Sequence, residues 1–265
     1  MGVMDGFQNH FTYNRATYIL VAILALLLLA WGVWYAVLLY TAGTGTIEIQ
    51  DVPAGTRITL DGKTIEEVSL GMSTIHTDVR PGEHTVNATA PSLWPWTKTI
   101  TVPENITVRI SPFLLRERPQ VLRVDAGTNE SAKAQQAFGV LQHLETPDSV
   151  NSDDGTVTAW IENDTVYAEW KGVTSATPEY FCTPDCKPTL TVLSATQPVT
   201  NVHFLGTRND VLLFTTPEGI YALELDPRGT QNFQPVYQEA GADFRIRDNE
   251  SLYVYSNSDY FVLEL

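Results

Sequence analysis

The chain has 265 residues, with 16 lysines and arginines against 31 aspartates and glutamates, so its formal net charge is −15. An electrostatic field of that sign repels the phosphate backbone of nucleic acids, which excludes a nucleic-acid partner. The length allows one large domain or two small domains beside a membrane segment.

The first predicted element is a transmembrane helix at residues 18–40, which contain no charged side chain. About 20 helical residues are enough to cross the hydrocarbon core of a bilayer. Trp31, Trp34 and Tyr40 crowd one end, where aromatic rings favour the membrane interface. A cleaved signal peptide is the alternative, but its apolar core is shorter, about 7–15 residues. The sequence therefore predicts an uncleaved, single-pass anchor in the cell membrane.

The orientation of this helix is predicted from the few charges beside it. Arg15 is the only basic residue close to either end, and basic residues favour the cytoplasmic side. Residues 1–17 are then a short cytoplasmic tail, and the remainder of the chain is an extracytoplasmic ectodomain.

The two cysteines, Cys182 and Cys186, have three residues between them, including Pro184 and Asp185, which favour a turn. Zinc sites usually need closer pairs and a second set of ligands, and thioredoxin-like sites need two intervening residues. The spacing favours a local disulfide, with a pair of free thiols as the alternative. A disulfide requires an oxidising compartment, in agreement with an extracytoplasmic ectodomain.

Residues 43–113 show the period-two alternation of β-strands, interrupted by tight turns. Ile47 and Ile49, for example, share one face of the first strand. Asp61-Gly62 predicts a two-residue hairpin, because both central residues of that turn need positive φ. Three turn motifs occur in order, namely Pro53-Ala54-Gly55-Thr56, Leu60-Asp61-Gly62-Lys63 and Arg80-Pro81-Gly82-Glu83-His84-Thr85-Val86.

This order of motifs resembles the PEGA domain, a small β-sandwich of surface and envelope proteins. The sequence departs from the family name at Ala54, where the name has Glu, and at Thr56, where it has Ala. The resemblance implies an envelope role for residues 43–113, and it implies neither catalytic residues nor a substrate.

A short connection within this unit carries Trp94 and Trp96 on either side of Pro95. Proline limits burial in the interior of a sheet. Two interpretations stay open. The tryptophans form an exposed stacking surface for sugars, peptides or lipid headgroups, or they pack beneath the sandwich. The exposed surface makes Trp94 and Trp96 the candidate binding residues.

Residues 114–155 are predicted to form a connector with one short helix, capped by Ser131. Its apolar face is expected to comprise Ala134, Phe138, Leu141 and Leu144, which follow a helical spacing.

Residues 156–265 contain short strands rich in β-branched and aromatic residues, with turn residues between them. Residues 219–225 resemble residues 259–265, which lie 40 positions later, and residues 164–170 resemble both. Such a period is typical of β-propellers, but too few units are present to close a ring of 4–8 blades. The strands form an incomplete propeller or a sandwich, or several chains complete a ring. The last strand has an open edge, which the segment near Val124 or a second chain covers, so a homo-oligomer is a further hypothesis.

No catalytic or metal-binding pattern is present in the sequence. The five histidines are scattered without metal-ligand spacing. The nucleophile elbow, the phosphate loop and the dinucleotide fingerprint do not occur. We therefore expect no catalytic residues, no metal and no cofactor.

The fold class that follows is an all-β ectodomain with one N-terminal transmembrane helix, built from a small PEGA-like β-sandwich plus incomplete β-propeller-like or sandwich strands. The expected function is a non-enzymatic, membrane-anchored protein that binds or scaffolds an envelope protein or glycan. An accessory subunit of a larger membrane complex is the first alternative. A propeller-type hydrolase or lyase is the second, and a deep pocket with convergent carboxylates and a shifted pKa would favour it.

Overall fold

The computed structural model describes residues 15–41, 43–69, 71, 73–139, 149–182 and 185–265. Two compact units are present, one that ends at Thr44 and one that runs from Gly45 to Leu265. Most of the predicted cytoplasmic tail lies outside the described residues. The first unit contains helix α1, and the second contains all of the strands.

Helix α1 spans Arg15–Thr41 and includes the whole of the predicted apolar helix. Its segment Thr17–Tyr35 is long and apolar enough to cross a membrane. The large apolar side chains of this segment are exposed, so the segment has no polar face of the kind that a soluble surface helix shows.

Strands β1–β7 form two sheets, which we call the sandwich. Strand β1 lies between β4 and β7 in one sheet, and the other sheet has the order β3-β2-β5-β6. Strands β1 and β7 are parallel, whereas all other pairs in the sandwich are antiparallel. Alternate residues such as Ile47, Ile49 and Val86 are fully buried between the sheets. The strands are β1 (Gly45–Val52), β2 (Arg57–Leu60), β3 (Lys63–Glu67), β4 (Ser73–Val79), β5 (Gly82–Thr89), β6 (Trp96–Val102) and β7 (Thr107–Ile110).

The predicted hairpin turn at Asp61-Gly62 is confirmed. Asp61 has φ of 50° and Gly62 has φ of 78°, as a tight turn between β2 and β3 requires. Asp61 Oδ1 accepts a hydrogen bond from Thr85 N at 2.9 Å, and Asp61 Oδ2 lies 2.7 Å from His84 Nδ1. The turn is therefore fastened to β5.

The His84 ring has an acceptor at each nitrogen, because its Nε2 lies 2.7 Å from the carbonyl oxygen of Arg80. Burial alone would lower the pKa of His84, but the hydrogen bonds with Arg80 and Asp61 raise it above its ordinary value. The pKa of Asp61 is lowered by hydrogen bonds from Thr85 and His84. The pair therefore favours the imidazolium beside the carboxylate.

We expect the stabilisation by His84 to decrease with rising pH. Since the pKa of His84 is raised in the folded state, its contribution is complete below the ordinary value of 6.5 and is lost as the pH rises through the raised value. The free energy of unfolding of the wild type and of His84→Gln should therefore converge between about pH 5 and about pH 9. An NMR titration of the ring that gives a pKa at or below 6.5 would contradict this expectation.

Strands β8–β19 form three four-stranded sheets, which we call the three-sheet body. All of its strand pairs are antiparallel. The sheet orders are β12-β11-β10-β9, β13-β14-β15-β16 and β17-β18-β19-β8. The strands are β8 (Gln120–Arg123), β9 (Val150–Asn151), β10 (Val157–Glu162), β11 (Thr165–Trp170), β12 (Thr189–Ser194), β13 (Thr200–Phe204), β14 (Val211–Thr216), β15 (Gly219–Glu224), β16 (Phe233–Tyr237), β17 (Asp243–Asp248), β18 (Ser251–Ser256) and β19 (Asp259–Glu264).

The predicted propeller is not confirmed, because the strands of the described residues lie in separate sheets that close no ring. The three similar segments in the sequence are β11, β15 and β19, and each is the third strand when its sheet is counted from β9, β13 or β17. The similarity therefore reflects a common strand position within each sheet. Three sheets fall short of the 4–8 blades that a ring needs.

The last strand of the chain does not have an open edge. Strand β8 pairs with β19 in antiparallel register, with Phe261 opposite Arg123 and Glu264 opposite Gln120. The connector thus supplies the fourth strand of this sheet, and the edge that suggested a homo-oligomer is covered. Self-association stays a prediction, but an open edge at the last strand no longer supports it.

The connector helix, α2, spans Asn129–Gly139. Thr128 Oγ1 accepts a hydrogen bond from Ser131 N at 3.1 Å, so Thr128 replaces the predicted Ser131 as the capping residue. Glu130 accepts a hydrogen bond from Arg247 Nε at 2.8 Å, which fastens α2 to the third sheet. The predicted face residues Leu141 and Leu144 lie outside the described residues.

One apolar core joins the sandwich to the three-sheet body. It contains Ile49 and Ile100 from the sandwich and Leu213 and Val254 from the three-sheet body. A second cluster lies within the three-sheet body. Because apolar burial is the main stabilising term in folding, the shared core indicates that the two bodies support one another.

Candidate functional site

Of the two tryptophans selected from the sequence, Trp96 is the first residue of β6, and Trp94 lies two positions before it. Trp96 is only 1% exposed, and its Nε1 donates a hydrogen bond to Glu224 Oε2 at 3.0 Å. Trp94 is half-buried and packs against the shared core. The exposed stacking pair is therefore wrong for Trp96, whose aromatic ring fills the contact between the sandwich and the three-sheet body. For this residue the packing alternative holds.

A buried lysine lies two residues after Trp96. Lys98 is 1% exposed, and its Nζ donates hydrogen bonds to Glu224 Oε1 at 2.5 Å and to the carbonyl oxygen of Asp226 at 2.6 Å. Burial raises the pKa of Glu224, although the adjacent Lys98 ammonium opposes that shift. Because a buried charge is tolerated only when it is paired and hydrogen-bonded, Lys98 and Glu224 depend on one another.

Two buried amide side chains of the three-sheet body form hydrogen bonds with main-chain groups of β6 and of the segment that follows β7. Asn232 Oδ1 accepts from Thr97 N at 3.0 Å, and its Nδ2 donates to the Thr97 carbonyl at 2.9 Å. Gln234 Oε1 accepts from Leu115 N at 3.0 Å, and its Nε2 donates to the Phe113 carbonyl at 3.0 Å. Each amide satisfies both a donor and an acceptor, much as a neighbouring strand would.

Arg228 forms a second charged contact between the two bodies. Its guanidinium donates to both oxygens of Asp226, at 2.9 and 2.8 Å, to Glu179 Oε2 at 2.9 Å and to the carbonyl of Arg109 at 2.8 Å. Burial alone would lower the pKa of Arg228, but Asp226 and Glu179 raise it above its ordinary value. A planar guanidinium suits such a set of acceptors better than an ammonium does.

Arg208 completes the polar contact. It forms a bidentate pair with Asp210, at 2.8 and 2.7 Å. It also donates to the carbonyls of Ser111 at 2.8 Å and Pro112 at 3.2 Å. The turn between β13 and β14 is thereby fixed to the segment that follows β7.

Between these contacts lies a cleft of about 550 Å³, which we call the central cleft. Its volume falls in the usual range of small-molecule sites, about 300–1,000 Å³. The sandwich contributes Asp51, Arg109 and Ser111 to its walls, and the three-sheet body contributes Glu179, Thr207 and Asp210. The cleft is the candidate binding site that the structure presents in place of a tryptophan surface.

The predicted disulfide between Cys182 and Cys186 is present. It follows a 3₁₀ turn, Glu179–Cys182, in which Tyr180 and Phe181 are buried in the protein. Lys187 N donates to the Phe181 carbonyl at 2.8 Å. The disulfide thus starts at the last residue of the turn that carries Glu179 to the central cleft.

The carboxylates of the cleft bear on the hydrolase alternative, since Glu224 lines the cleft and has a raised pKa. Its Oε1 accepts hydrogen bonds from Lys98 and from both the backbone and side-chain nitrogens of Asn232, and its Oε2 accepts one from Trp96. These hydrogen bonds lower the pKa of Glu224, so its raised value follows from burial where the two bodies meet. Within the described residues, no group of three or more potential ligands is arranged to hold a metal ion.

Sequence reasoning missed the residues that build this site, although one signal was available. Lys98 lies in phase with the buried residues Trp96, Ile100 and Val102, and a lysine on the inward face of a strand needs a buried partner. Glu224 gave no such signal. It corresponds in the repeat to Glu264, which the structure leaves exposed, so the repeat does not mark this position as buried.

Comparisons with known proteins support the assignment of the sandwich. Residues 44–118 match the PEGA domain, which confirms the resemblance seen in the three turn motifs. No curated protein matches the sequence. The chain is also similar to a solved structure of a Bacteroides fragilis protein of unknown function that is thought to be membrane-associated. The two share 8% identity over 83% of this chain and 94% of that chain, with a TM-score of 0.22.

The PEGA match covers all seven strands of the sandwich and the first part of the connector. Residues 44–118 are therefore similar to the PEGA domain family, and their two-sheet architecture agrees with that similarity.

Proposed function

We propose that the chain is a membrane-anchored, non-enzymatic protein of the cell envelope that binds or scaffolds an envelope protein or glycan. The observation that carries the proposal is the buried network of Trp96, Lys98 and Glu224, together with the apolar core that the sandwich shares with the three-sheet body. An ectodomain fused in this way offers a fixed binding surface. Helix α1 has the length and apolar composition to hold that ectodomain at a membrane.

The disulfide supports a position outside the cytoplasm, because reducing conditions in the cytosol disfavour such bonds. Cys182 and Cys186 are the only cysteines in the chain, so their oxidation state in cells reports the compartment. After acid quenching, a maleimide with a mass tag should label neither cysteine without reductant and both after reduction. Cys182→Ser is the control and should show one tag without reductant. Complete labelling of the wild type without reductant would contradict the proposed compartment.

We expect two arginines in the apolar stretch, Leu24→Arg with Leu28→Arg, to release the protein from membranes. Each arginine near the centre of a membrane helix costs about 2.5–3.5 kcal/mol on insertion scales. The measurement is the fraction of full-length protein that sediments with membranes after a carbonate wash. The matched variant with valine at both positions should sediment as the wild type does. Wild-type sedimentation of the arginine variant would argue against α1 as the anchor.

Strand β8 favours a second candidate function, that of an accessory subunit in a larger membrane complex. It is the last strand in its sheet, and Val121 and Leu122 are 38% and 49% exposed. An exposed strand edge with apolar side chains can pair with a partner protein. Membrane proteins recovered in fixed ratio with the detergent-solubilised wild type, and lost with Val121→Lys, would support the subunit. Recovery of envelope glycan alone would support the first proposal, a protein that binds the envelope.

A further inference from the structure

We propose that the central cleft binds a neutral saccharide through hydrogen bonds to its paired carboxylate and guanidinium groups. This inference rests on the proposed binding function and names its ligand class. The ligand is placed in the cleft between the sandwich and the three-sheet body. It is not placed at the tryptophan pair selected from the sequence.

The partly buried charged groups of the cleft are paired with one another. Arg228 pairs with Asp226 at 2.8 Å and with Glu179 at 2.9 Å, and Arg208 pairs with Asp210 at 2.7 Å. Each of these carboxylates therefore already has a cation in contact. A charged ligand that paired with one of these groups would have to break an existing pair, and breaking partly buried pairs is unfavourable.

Two more exposed groups lie at the sandwich side of the cleft, on the adjacent parallel strands β1 and β7. Asp51 is exposed and accepts a hydrogen bond from the Ser111 hydroxyl at 3.1 Å. The Arg109 side chain is 58% exposed and lies 3.3 Å from Glu48 and 3.9 Å from Glu179, farther than the contacts of Arg228. The wall thus offers an anionic acceptor and a cationic donor.

A sugar hydroxyl donates and accepts hydrogen bonds at the same time. Several hydroxyls on one ring therefore match a wall on which carboxylate acceptors and guanidinium donors lie side by side. Both groups are planar and can bind two partners in parallel. The opposite wall adds the exposed side chains of Ser175 and Thr207. Because ion pairs already hold the charged groups in place, binding would order few side chains.

The net charge of the protein further limits the ligand. At −15, the chain repels acidic polysaccharides and other polyanions. A divalent cation would need a cluster of oxygen ligands, and the part of the chain that the structure describes has no such metal-binding group. A neutral sugar is the ligand class that gains from both donors and acceptors without needing an unpaired charge.

The test uses the full-length protein in detergent, applied to an array of neutral oligosaccharides with acidic oligosaccharides and peptides alongside. Affinity for the best neutral sugar is then measured by calorimetry. Thr207→Trp places a large side chain at the cleft and should weaken binding at least about tenfold, since small-molecule sites depend on their shape. Thr64→Trp, on an exposed position of β3 away from the cleft, is the matched control and should bind as the wild type does.

Asp51→Asn separates hydrogen bonding from charge. Asp51 has φ of 55°, which asparagine tolerates, so the substitution keeps the backbone and removes the charge. For a neutral sugar we expect affinity to fall about fivefold, because a neutral acceptor forms a weaker hydrogen bond than a charged one. Binding by the wild type should stay constant between about 0.1 M and about 0.5 M salt.

Three results would each overturn the proposal: no neutral sugar binds, binding survives Thr207→Trp, or the bound class is acidic or peptidic with an affinity that falls with salt. None of these would affect the cysteine-labelling and membrane-sedimentation tests. A failure of the saccharide proposal can thus be distinguished from a failure of the proposed envelope function.

Discussion

Replacing Lys98 with methionine is expected to lower the free energy of unfolding by about 3–5 kcal/mol, because it leaves a buried carboxylate without its cation. Glu224 is only 4% exposed, and Lys98 Nζ is its one contact with a positive charge among the hydrogen bonds described above. Methionine keeps most of the aliphatic volume, so the loss reports the charge rather than the packing. Urea unfolding of the full-length protein, followed by tryptophan fluorescence, measures the change.

The destabilisation should depend on pH. Burial raises the pKa of Glu224, so between its ordinary value of 4.5 and the raised value the folded state binds more protons than the unfolded state. The free energy of unfolding therefore falls as the pH rises through that interval. Without Lys98 the pKa of Glu224 should rise further, and Lys98→Met should regain stability relative to the wild type as the pH falls towards 4.5.

Two variants serve as controls for this prediction. Lys63→Met removes an exposed lysine and should change stability by less than about 0.5 kcal/mol. The double variant Lys98→Met with Glu224→Gln removes both charges, keeps an acceptor oxygen for the donors around Glu224, and should recover part of the loss, since the buried carboxylate without a cation is gone. A single Lys98→Met variant as stable as the wild type would show that Glu224 does not depend on this cation.

Trp96→Ala is expected to cost about 3–5 kcal/mol, the usual range for truncating a fully buried aromatic residue. Trp96 is 1% exposed and lies where the sandwich meets the three-sheet body. The substitution creates a cavity there and also removes the hydrogen bond that Trp96 Nε1 donates to Glu224. The measurement is again the free energy of unfolding in urea.

Phenylalanine at each tryptophan position separates the hydrogen bond from the ring. Trp96→Phe loses the hydrogen bond to Glu224 and should cost about 1.5–3 kcal/mol. Trp94 Nε1 is buried and has no hydrogen-bond partner among the described residues. Trp94→Phe should therefore be neutral or slightly stabilising, because it removes an unpaired buried donor. Equal losses at the two positions would argue against the distinct role assigned to Trp96.

Local signals predicted the elements whose causes lie within a few residues. The uncharged apolar run predicted α1, Asp61-Gly62 predicted the hairpin, and the spacing of Cys182 and Cys186 predicted their disulfide. Each of these features depends on a neighbour in the sequence. Residue type and spacing were therefore sufficient.

The central site depends on partners far apart in the chain, which no local pattern connects. Lys98 and Glu224 are 126 positions apart, and Thr97 and Asn232 are 135 apart. The pairing of β8 with β19 likewise required a strand from the connector to close a sheet at the end of the sequence. The flanking Pro95 favoured exposure of Trp96, but the tertiary contact with the three-sheet body buried it instead.

We infer that the sandwich and the three-sheet body form one cooperative unit through their buried contact. Native-state hydrogen exchange of the full-length protein, measured at increasing low concentrations of denaturant, tests this cooperativity. We expect the most protected amides of β6 and β15 to converge on one opening free energy, and Lys98→Met to lower both by the same amount. Separate opening free energies for the two strands, with only one of them changed by Lys98→Met, would contradict it.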